Sequence, residues 1–307
     1  MNSKTLLYIV KRLLLAVLTV WVVITVTFFA TRAVPGGPFA SEKAITPAAK
    51  AALEAKYGLD KPVLEQYTTY LKDIVLHFDF GPSLKQRGRQ VIDVITDGLK
   101  TSAKLGVIAA FASLICGVVL GAIAALRRNK VIDRVIMVIT TAFVSMPSFI
   151  MGSLMLVAFS IKLAILPANG STTEGLILPV ITLALYPTAY ITRLTRSSML
   201  DVLGQDYIRT AKAKGVPGKR IIFGHALKNS LIPVITYFGP MLAYIVTGSL
   251  VVEQIFAVPG IGRAFVNSII NRDYPLIMGT TIVLAALIVI MNLVGDILYK
   301  VVDPRIN

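Results

Sequence analysis

Six long apolar runs dominate this chain of 307 residues, at about 6–30, 99–126, 135–161, 176–192, 233–255 and 276–299. A helix needs roughly 20 mostly apolar residues to cross a bilayer. Their recurrence excludes a soluble globular protein and leaves little chain for a second domain. Only 15% of residues are charged, against about 25% in soluble domains. The expected fold class is all-α, a polytopic membrane protein with six transmembrane helices, spanning 1–307 as one transmembrane domain. Lys4, Lys11 and Arg12 at the start of the first run would suit the basic end of a secretory leader. The run's apolar stretch from Leu13 to Ala30 exceeds the roughly 7–15 residues of a leader's core, so it reads as a retained span.

The net charge of +15 is distributed in a way that argues against nucleic acid. The tails and the 127–134 and 193–232 loops hold seventeen Lys/Arg and four Asp/Glu, whereas residues 33–98 hold eight of each. Basic residues concentrated in alternate loops obey the positive-inside rule. Both termini and the 193–232 loop are therefore expected in the cytoplasm, with 33–98 outside.

The outer segment reads as a small helical insertion. Val34-Pro-Gly-Gly-Pro38 makes a stiff exit from the membrane. Thr46 and Pro47 suit an N-cap and a first helical residue, and Gly58 suits the helix stop. Val63, Tyr67, Tyr70, Leu71 and Ile74 recur at helical spacing, predicting a second helix that ends at Phe80-Gly81-Pro82-Ser83. Val91, Val94, Ile95 and Leu99 lead a third into the second span. The segment reads as a structural lid.

Proline interrupts the apolar runs at 147, 179, 187, 233 and 240. A proline removes a backbone hydrogen bond that lipid cannot replace, so such breaks survive where protein or a water-lined cavity satisfies the chain. With Ser145-Met-Pro-Ser148 and the hydroxyls from Thr182 to Tyr190, they suggest a polar route involving Ser145, Pro147, Ser148 and Pro187; kinking for packing is the alternative. Gly117-Val-Val-Leu-Gly121 lets another helix approach closely. Cys116 is the only cysteine, and His77 and His225 lack ligand-spaced neighbours, so neither a disulfide nor a metal site is expected.

Between the fourth and fifth runs lies DYIRTAKAKGVPGKRIIFGHALKNSLIPV, residues 206–234. Ser197 or Ser198 is expected to cap a helix running to Gly215, with Pro217 starting the next. Ala211, Ala213 and Gly215 keep this knob slender, and Arg209, Lys212, Lys214, Lys219 and Arg220 charge its rim. It suits docking into a partner's cleft, or else serves only as a solvated, topology-fixing loop.

Ala211-x-x-x-Gly215 resembles the EAA loop of ABC-importer membrane subunits, with Arg209 where the general motif has Glu and His225-Ala-Leu-Lys228 in place of its Ile-x-Leu-Pro. The longer string resembles the version used by the peptide/nickel branch. The resemblance implies that Arg209, Thr210, Ala211, Lys212, Ala213, Lys214, Gly215 and Val216 couple to an ATPase subunit. TGSLVVEQIFAVPGIGRAFVNSIINRDYP, 247–275, resembles that branch's segment between the last two spans. It implies an outer-gate or binding-protein-docking role for Glu253, Phe256, Pro259, Gly260, Gly262, Arg272 and Asp273. On the residues alone, Pro259-Gly-Ile-Gly262 reads as a flexible turn ending the fifth span. Glu253 is either functional, as ionisable groups at membrane depth tend to be, or the partner of Arg263 or Arg272 in a structural ion pair.

PGGPF with Glu42-Lys43, DFGPS at 79–83 and Asp303-Pro-Arg-Ile306 extend the resemblance over nearly the whole chain. They point to the first membrane subunit of an oligopeptide importer in a bacterial cytoplasmic membrane. That implies a second, similar permease subunit, two ATPases carrying ATP and magnesium, and an extracytoplasmic peptide-binding protein. The chain itself has no GxxxxGK[ST] loop and no nucleophile elbow, so it is expected to hold no cofactor and to catalyse nothing. Dipeptides, nickel or oligosaccharides are alternative cargoes. A proton-coupled secondary transporter is disfavoured because only Asp296 and Glu253 could serve as an intramembrane relay.

Overall fold

The computed structural model describes residues 3–35, 37–39 and 47–302. Gly36, Glu42, Lys43, the expected cap Thr46 and the 303–306 motif lie outside them. Among the described residues the chain is helical, with a single antiparallel bridge between Pro82 and Gln90.

Helix α1 (Ser3–Ala33) is followed by α2 (Pro47–Lys56) and α3 (Val63–His77). α3 stops short of the expected Phe80-Gly81 turn. Phe78 takes a left-handed conformation (φ 53°), its N–H reaching the Ile74 carbonyl at 3.1 Å and that of Asp79 reaching Asp73 at 3.2 Å. α4 (Val91–Leu126) carries the third helical pattern straight into the second apolar run.

The third run, expected as one span, is broken. α5 (Val131–Ser145) and α6 (Ser148–Met155, continued by a π-helix to Lys162) meet at 109°. Pro147 lacks an N–H and holds Met146 extended (φ −86°, ψ 128°), so the helix cannot pass through it. The fourth run does the reverse. α7 (Ile177–Leu203) continues eleven residues past its predicted end and keeps Pro187 inside. Ser197 and Ser198 are therefore not caps. Ile191, Thr195 and Met199, buried at four-residue intervals, extend the packed face beyond them. The helix ends at Gly204, and α8 (Asp206–Ala213) starts after an extended Gln205.

Two single turns, α9 (Gly218–Arg220) and α10 (Lys228–Ser230), flank a π-helix, Ile221–Leu227, and lead at 48° into α11 (Ile232–Val246). The fifth run does not continue to 255 as expected. It breaks at Thr247–Ser249, and the Ser249 hydroxyl caps α12 (Leu250–Ile255) by accepting from Val252 N at 3.2 Å. After Pro259-Gly260 come α13 (Ile261–Ile270) and α14 (Tyr274–Val302). Gly262, expected in a flexible turn, is buried in the first turn of α13. Among the described residues four helices are long and apolar enough to cross a membrane, or up to six if each bent pair is one span.

The chain forms two compact units, Met1–Lys100 with Gly260–Val289, and Thr101–Pro259 with Ile290–Asn307. The first is packed around Phe28, Ile74, Phe80, Val91, Ile95, Ile261 and Met278. In the second, Leu105, Val252 and Phe256 form one cluster and Ile191, Val234 and Met241 another. Lipid is as apolar as these side chains, so close backbone approach has to supply much of the cohesion between spans. The predicted Gly117–Gly121 face does this against α7. A Cβ at Gly117 would lie 2.7 Å from the Ile191 side chain, and one at Gly121 2.6 Å from the Thr192 carbonyl.

Candidate functional site

In the second unit both broken spans face one cavity of about 910 Å3. Met146, Pro147 and Ser148 from the α5–α6 break line it, as do Gly248 and Ser249 from the break after α11. Non-helical backbone at membrane depth needs such a setting, because a cavity can admit the partners that hydrocarbon lacks. Tyr186 and Pro187 of α7 and Tyr237, Pro240 and Tyr244 of α11 complete much of the wall. All four residues expected along a polar route, Ser145, Pro147, Ser148 and Pro187, are thus brought to the same space. Tyr237 and Tyr244 were missed; their seven-residue spacing on one helix face was the available signal.

The wall is amphipathic, and among the described residues that line it there is no Asp, Glu, Lys, Arg or His. The Thr182 hydroxyl on it is buried without a hydrogen-bond partner. Tyr237 stacks on Tyr190, ring centroids 4.3 Å apart, which fixes the phenol's orientation. The surface offers hydroxyl donors and acceptors among apolar faces, with no fixed charge to select a ligand by sign.

The knob predicted from sequence is two-faced. Ile208 of α8 is fully buried, and Tyr207 accepts from Asn229 Nδ2 at 2.8 Å. Fully buried Ala226 packs with Met199 of α7 and Ala125 of α4, so the knob is seated on the ends of both spans. Its other face is open: Arg209, Thr210, Lys212, Ala213, Lys214 and Gly215 are exposed, with Ala211 and Val216 half-buried. Gly215 has φ +76° and nothing within 4 Å of a Cβ built on it. Its N–H donates to the Lys212 carbonyl at 3.0 Å, and that of Val216 to Ala211 at 3.1 Å, the usual way for a left-handed residue to stop a helix. Arg209 meets Asp206 at 3.5 Å with both side chains largely exposed, a contact worth little to stability.

The expected outer-gate residues divide between the two units. Glu253 and Phe256 are fully buried in the second, where Pro259 is exposed. The Glu253 carboxylate accepts from the Ser102 hydroxyl at 2.7 Å and from Ser249 N at 3.1 Å, so it ties α4 to the break that lines the cavity. In the first unit Gly260 and Gly262 flank the start of α13. Arg272 Nη1 donates to the Pro35 carbonyl at 2.9 Å. Buried Asp273 accepts from the Ser83 hydroxyl, from Leu84 N at 3.1 Å and, as the cap of α14, from Leu276 N at 3.4 Å. Two separately recognised strings, DFGPS and the 247–275 segment, meet at this carboxylate. Among the described residues no cluster of His, Cys, Asp or Glu could hold a metal ion.

Residues 117–307 match the family described as binding-protein-dependent transport system inner membrane component, and residues 5–106 match the N-terminal family of such membrane components. The chain belongs to this family. It is 46% identical over 301 residues to the dipeptide transport system permease protein DppB of Bacillus subtilis (strain 168), covering 98% of this chain and 97% of that one. It is 44% identical over 303 residues to the oligopeptide transport system permease protein OppB of Escherichia coli (strain K12), with 98% and 99% covered. The fold of this permease is also that of the inward-facing MetNI methionine ABC transporter, with TM-score 0.53, 16% identity and 69% and 97% of the two chains covered. An amino acid ABC transporter solved with histidines gives TM-score 0.54 and 16% identity over 70% and 95%. The chain is a multi-pass permease subunit of an ABC importer.

Proposed function

We propose that this permease forms half of the pathway through which an ATP-driven importer moves oligopeptides across a bacterial cytoplasmic membrane. The observation that carries the reading is the charge-free cavity where the two broken spans converge. Its volume of about 910 Å3 lies within the range of roughly 300–1,000 Å3 typical of small-molecule sites. A route for peptides has to pass acidic, basic and apolar side chains alike, and a wall of hydroxyls and aromatic faces without fixed charge suits that task. The curated relatives named for dipeptide and oligopeptide transport support this cargo.

A second, similar permease subunit completes the pathway in this reading, and an extracytoplasmic peptide-binding protein sets specificity. Two ATPase subunits bind the open face of the 206–216 knob and supply ATP and magnesium; the permease holds no cofactor. Because the knob is seated on the ends of α4 and α7, a push on it is delivered along α7 to the cavity wall, a two-state element biased by nucleotide. Both termini lie in the cytoplasm.

The test is uptake by proteoliposomes containing the permease with a second permease subunit, two ATPase subunits and a peptide-binding protein. ATP-dependent uptake of peptides differing in side-chain charge is expected, with no ATPase activity from the permease alone. Uptake of nickel or an oligosaccharide without peptide uptake overturns the cargo, and ATP hydrolysis by the isolated chain overturns the subunit role.

A further inference from the structure

The first unit contains a second cavity, of about 260 Å3, enclosed by the last turn of α1, helix α3, the 79–84 loop and the start of α14. Its polar wall consists chiefly of Arg32, Tyr70, Tyr274, Asp73 and Asp79. The Arg32 guanidinium lies over the Phe28 ring, 3.4 Å from its centroid. Its Nε donates to Gln66 Oε1 at 3.0 Å, and it acts electrostatically on both phenols. The phenol oxygens of Tyr70 and Tyr274 are buried and make no hydrogen bond, although Tyr274 is only 6% exposed. Buried hydroxyls are normally satisfied, so an unmet pair in one cavity calls for an explanation. Burial pushes the Tyr70 phenol pKa up, against the opposing effect of Arg32, which keeps its proton available as a donor. Three donors share this cavity, and neither phenol bonds to any group of its wall.

We propose that this cavity binds the headgroup of a zwitterionic membrane phospholipid, its phosphate accepting from Arg32, Tyr70 and Tyr274 and its ammonium facing Asp73 and Asp79. Depth argues for a lipid. Arg32 is the next-to-last residue of the Lys11–Ala33 span and Tyr274 the first of the Tyr274–Val294 span, the level at which phosphates lie and tyrosines concentrate. Phe28, Leu59 and Met278 in the wall suit the start of the apolar chains. The aspartates set the headgroup class. Asp79 uses Oδ1 for the Gly81 amide at 2.8 Å, leaving its other oxygen for a cation. At the rim Lys61 is already paired with Glu65 at 2.8 Å. Two carboxylates disfavour a purely anionic headgroup and favour one with its own amine.

The experiment is native mass spectrometry of the full-length chain in detergent, titrated with dioleoyl phosphatidylethanolamine, dioleoyl phosphatidylglycerol or free phosphoethanolamine. The ethanolamine lipid is expected to be retained at least about tenfold better by the wild type than by a Tyr70→Phe/Tyr274→Phe variant, because the variant loses two hydrogen bonds to a charged phosphate. These changes remove only hydroxyls without partners, so they spare the fold. Equal retention by wild type and variant overturns the proposal. So does equal retention of phosphatidylglycerol by the wild type, a comparison that needs no variant. Retention of free phosphoethanolamine as strong as that of the lipid would assign the cavity to a soluble zwitterion instead.

Discussion

Arg196 of α7 grips Asp133 of α5 at two points, Nε to Oδ1 at 2.6 Å and Nη2 to Oδ2 at 2.8 Å. Asn129 N adds a third bond to Oδ2 at 2.9 Å. The Asp133 side chain is 4% exposed and that of Arg196 23%, so the carboxylate depends on these donors to replace lost water. The pair fastens the start of α5 to the end of α7, seven residues before α7 gives way to the knob. Asp133→Ala should cost about 2–3 kcal/mol, somewhat less than the roughly 3–5 kcal/mol of a fully buried pair because Arg196 stays partly hydrated. Asp133→Leu/Arg196→Met should recover most of that loss, since no orphaned charge remains. Thermal unfolding in detergent checks both; a double variant no better than the single would refute the desolvation account.

The α4–α7 contact makes a separate demand. A Cβ at Gly121 would stand 2.6 Å from the Thr192 carbonyl and from Thr195 Cβ, and backbone cannot swing aside as a long side chain can. Gly121→Ala should therefore destabilise by about 1–3 kcal/mol, despite alanine's advantage of up to about 1 kcal/mol within a helix. Gly224→Ala is the control, because its nearest neighbour is the Arg220 side chain at 3.7 Å. Unfolding curves that move equally for the two variants would show that the close approach does not matter.

Asp273 holds the 79–90 loop through side chain and backbone together, as Ser83, Leu84 and Lys85 all donate to it. Asp273→Ala removes every one of these acceptors, whereas Ser83→Ala keeps the Leu84 and Lys85 amides on Asp273 and frees only the Gln86 amide, which donates to the Ser83 hydroxyl at 2.8 Å, so it should cost only about 1–2 kcal/mol. Faster tryptic cleavage after Lys85, Arg87 or Arg89 is expected in the aspartate variant and far less in the serine one. Identical cleavage rates would mean that the loop is held elsewhere.

The features legible in the sequence were those set by local pattern. Apolar length announced the spans, spacing announced α3, and the glycine and proline around 215–217 announced the knob. Breaks were legible as prolines, yet their size was not. Pro147 turns the chain by 109° while Pro187 stays inside a continuous helix, because surrounding packing decides whether the helix can absorb the lost bond. The caps assigned to Ser197 and Ser198 failed for a related reason: the buried face of α7 runs on through Met199. Asp133 with Arg196, and Ser83 with Asp273, are separated by 63 and 190 residues, and no periodicity within one segment connects them.

Orientation is expected to follow from charge, and reporter fusions test it. Reporter fusions near Asn129 and after Ile306 should signal cytoplasm, and one near Asp60 the outside. The basis is the excess of seventeen Lys/Arg over four Asp/Glu in the tails and the 127–134 and 193–232 loops, since such segments are retained on the inner face. An outside signal at Asn129 would invert the topology and remove the knob from any cytoplasmic ATPase.

Gly215 gives the sharpest test of coupling. Its φ of +76° favours glycine, and the space around a Cβ there is empty to 4 Å. Gly215→Trp therefore has room within the permease and should cost only about 1–2 kcal/mol of local strain, leaving insertion and span packing intact. In the assembled importer the indole would stand on the open face of the knob and hold an ATPase away from Ala213 and Lys214. Peptide uptake and substrate-stimulated ATP hydrolysis should fall together, at matched expression. Gly215→Asn separates strain from bulk, because asparagine tolerates the left-handed region; it should retain most of the activity. If the tryptophan variant transports as the wild type does, the exposed face of α8 is not where ATPase motion enters, and its basic residues serve only to fix topology.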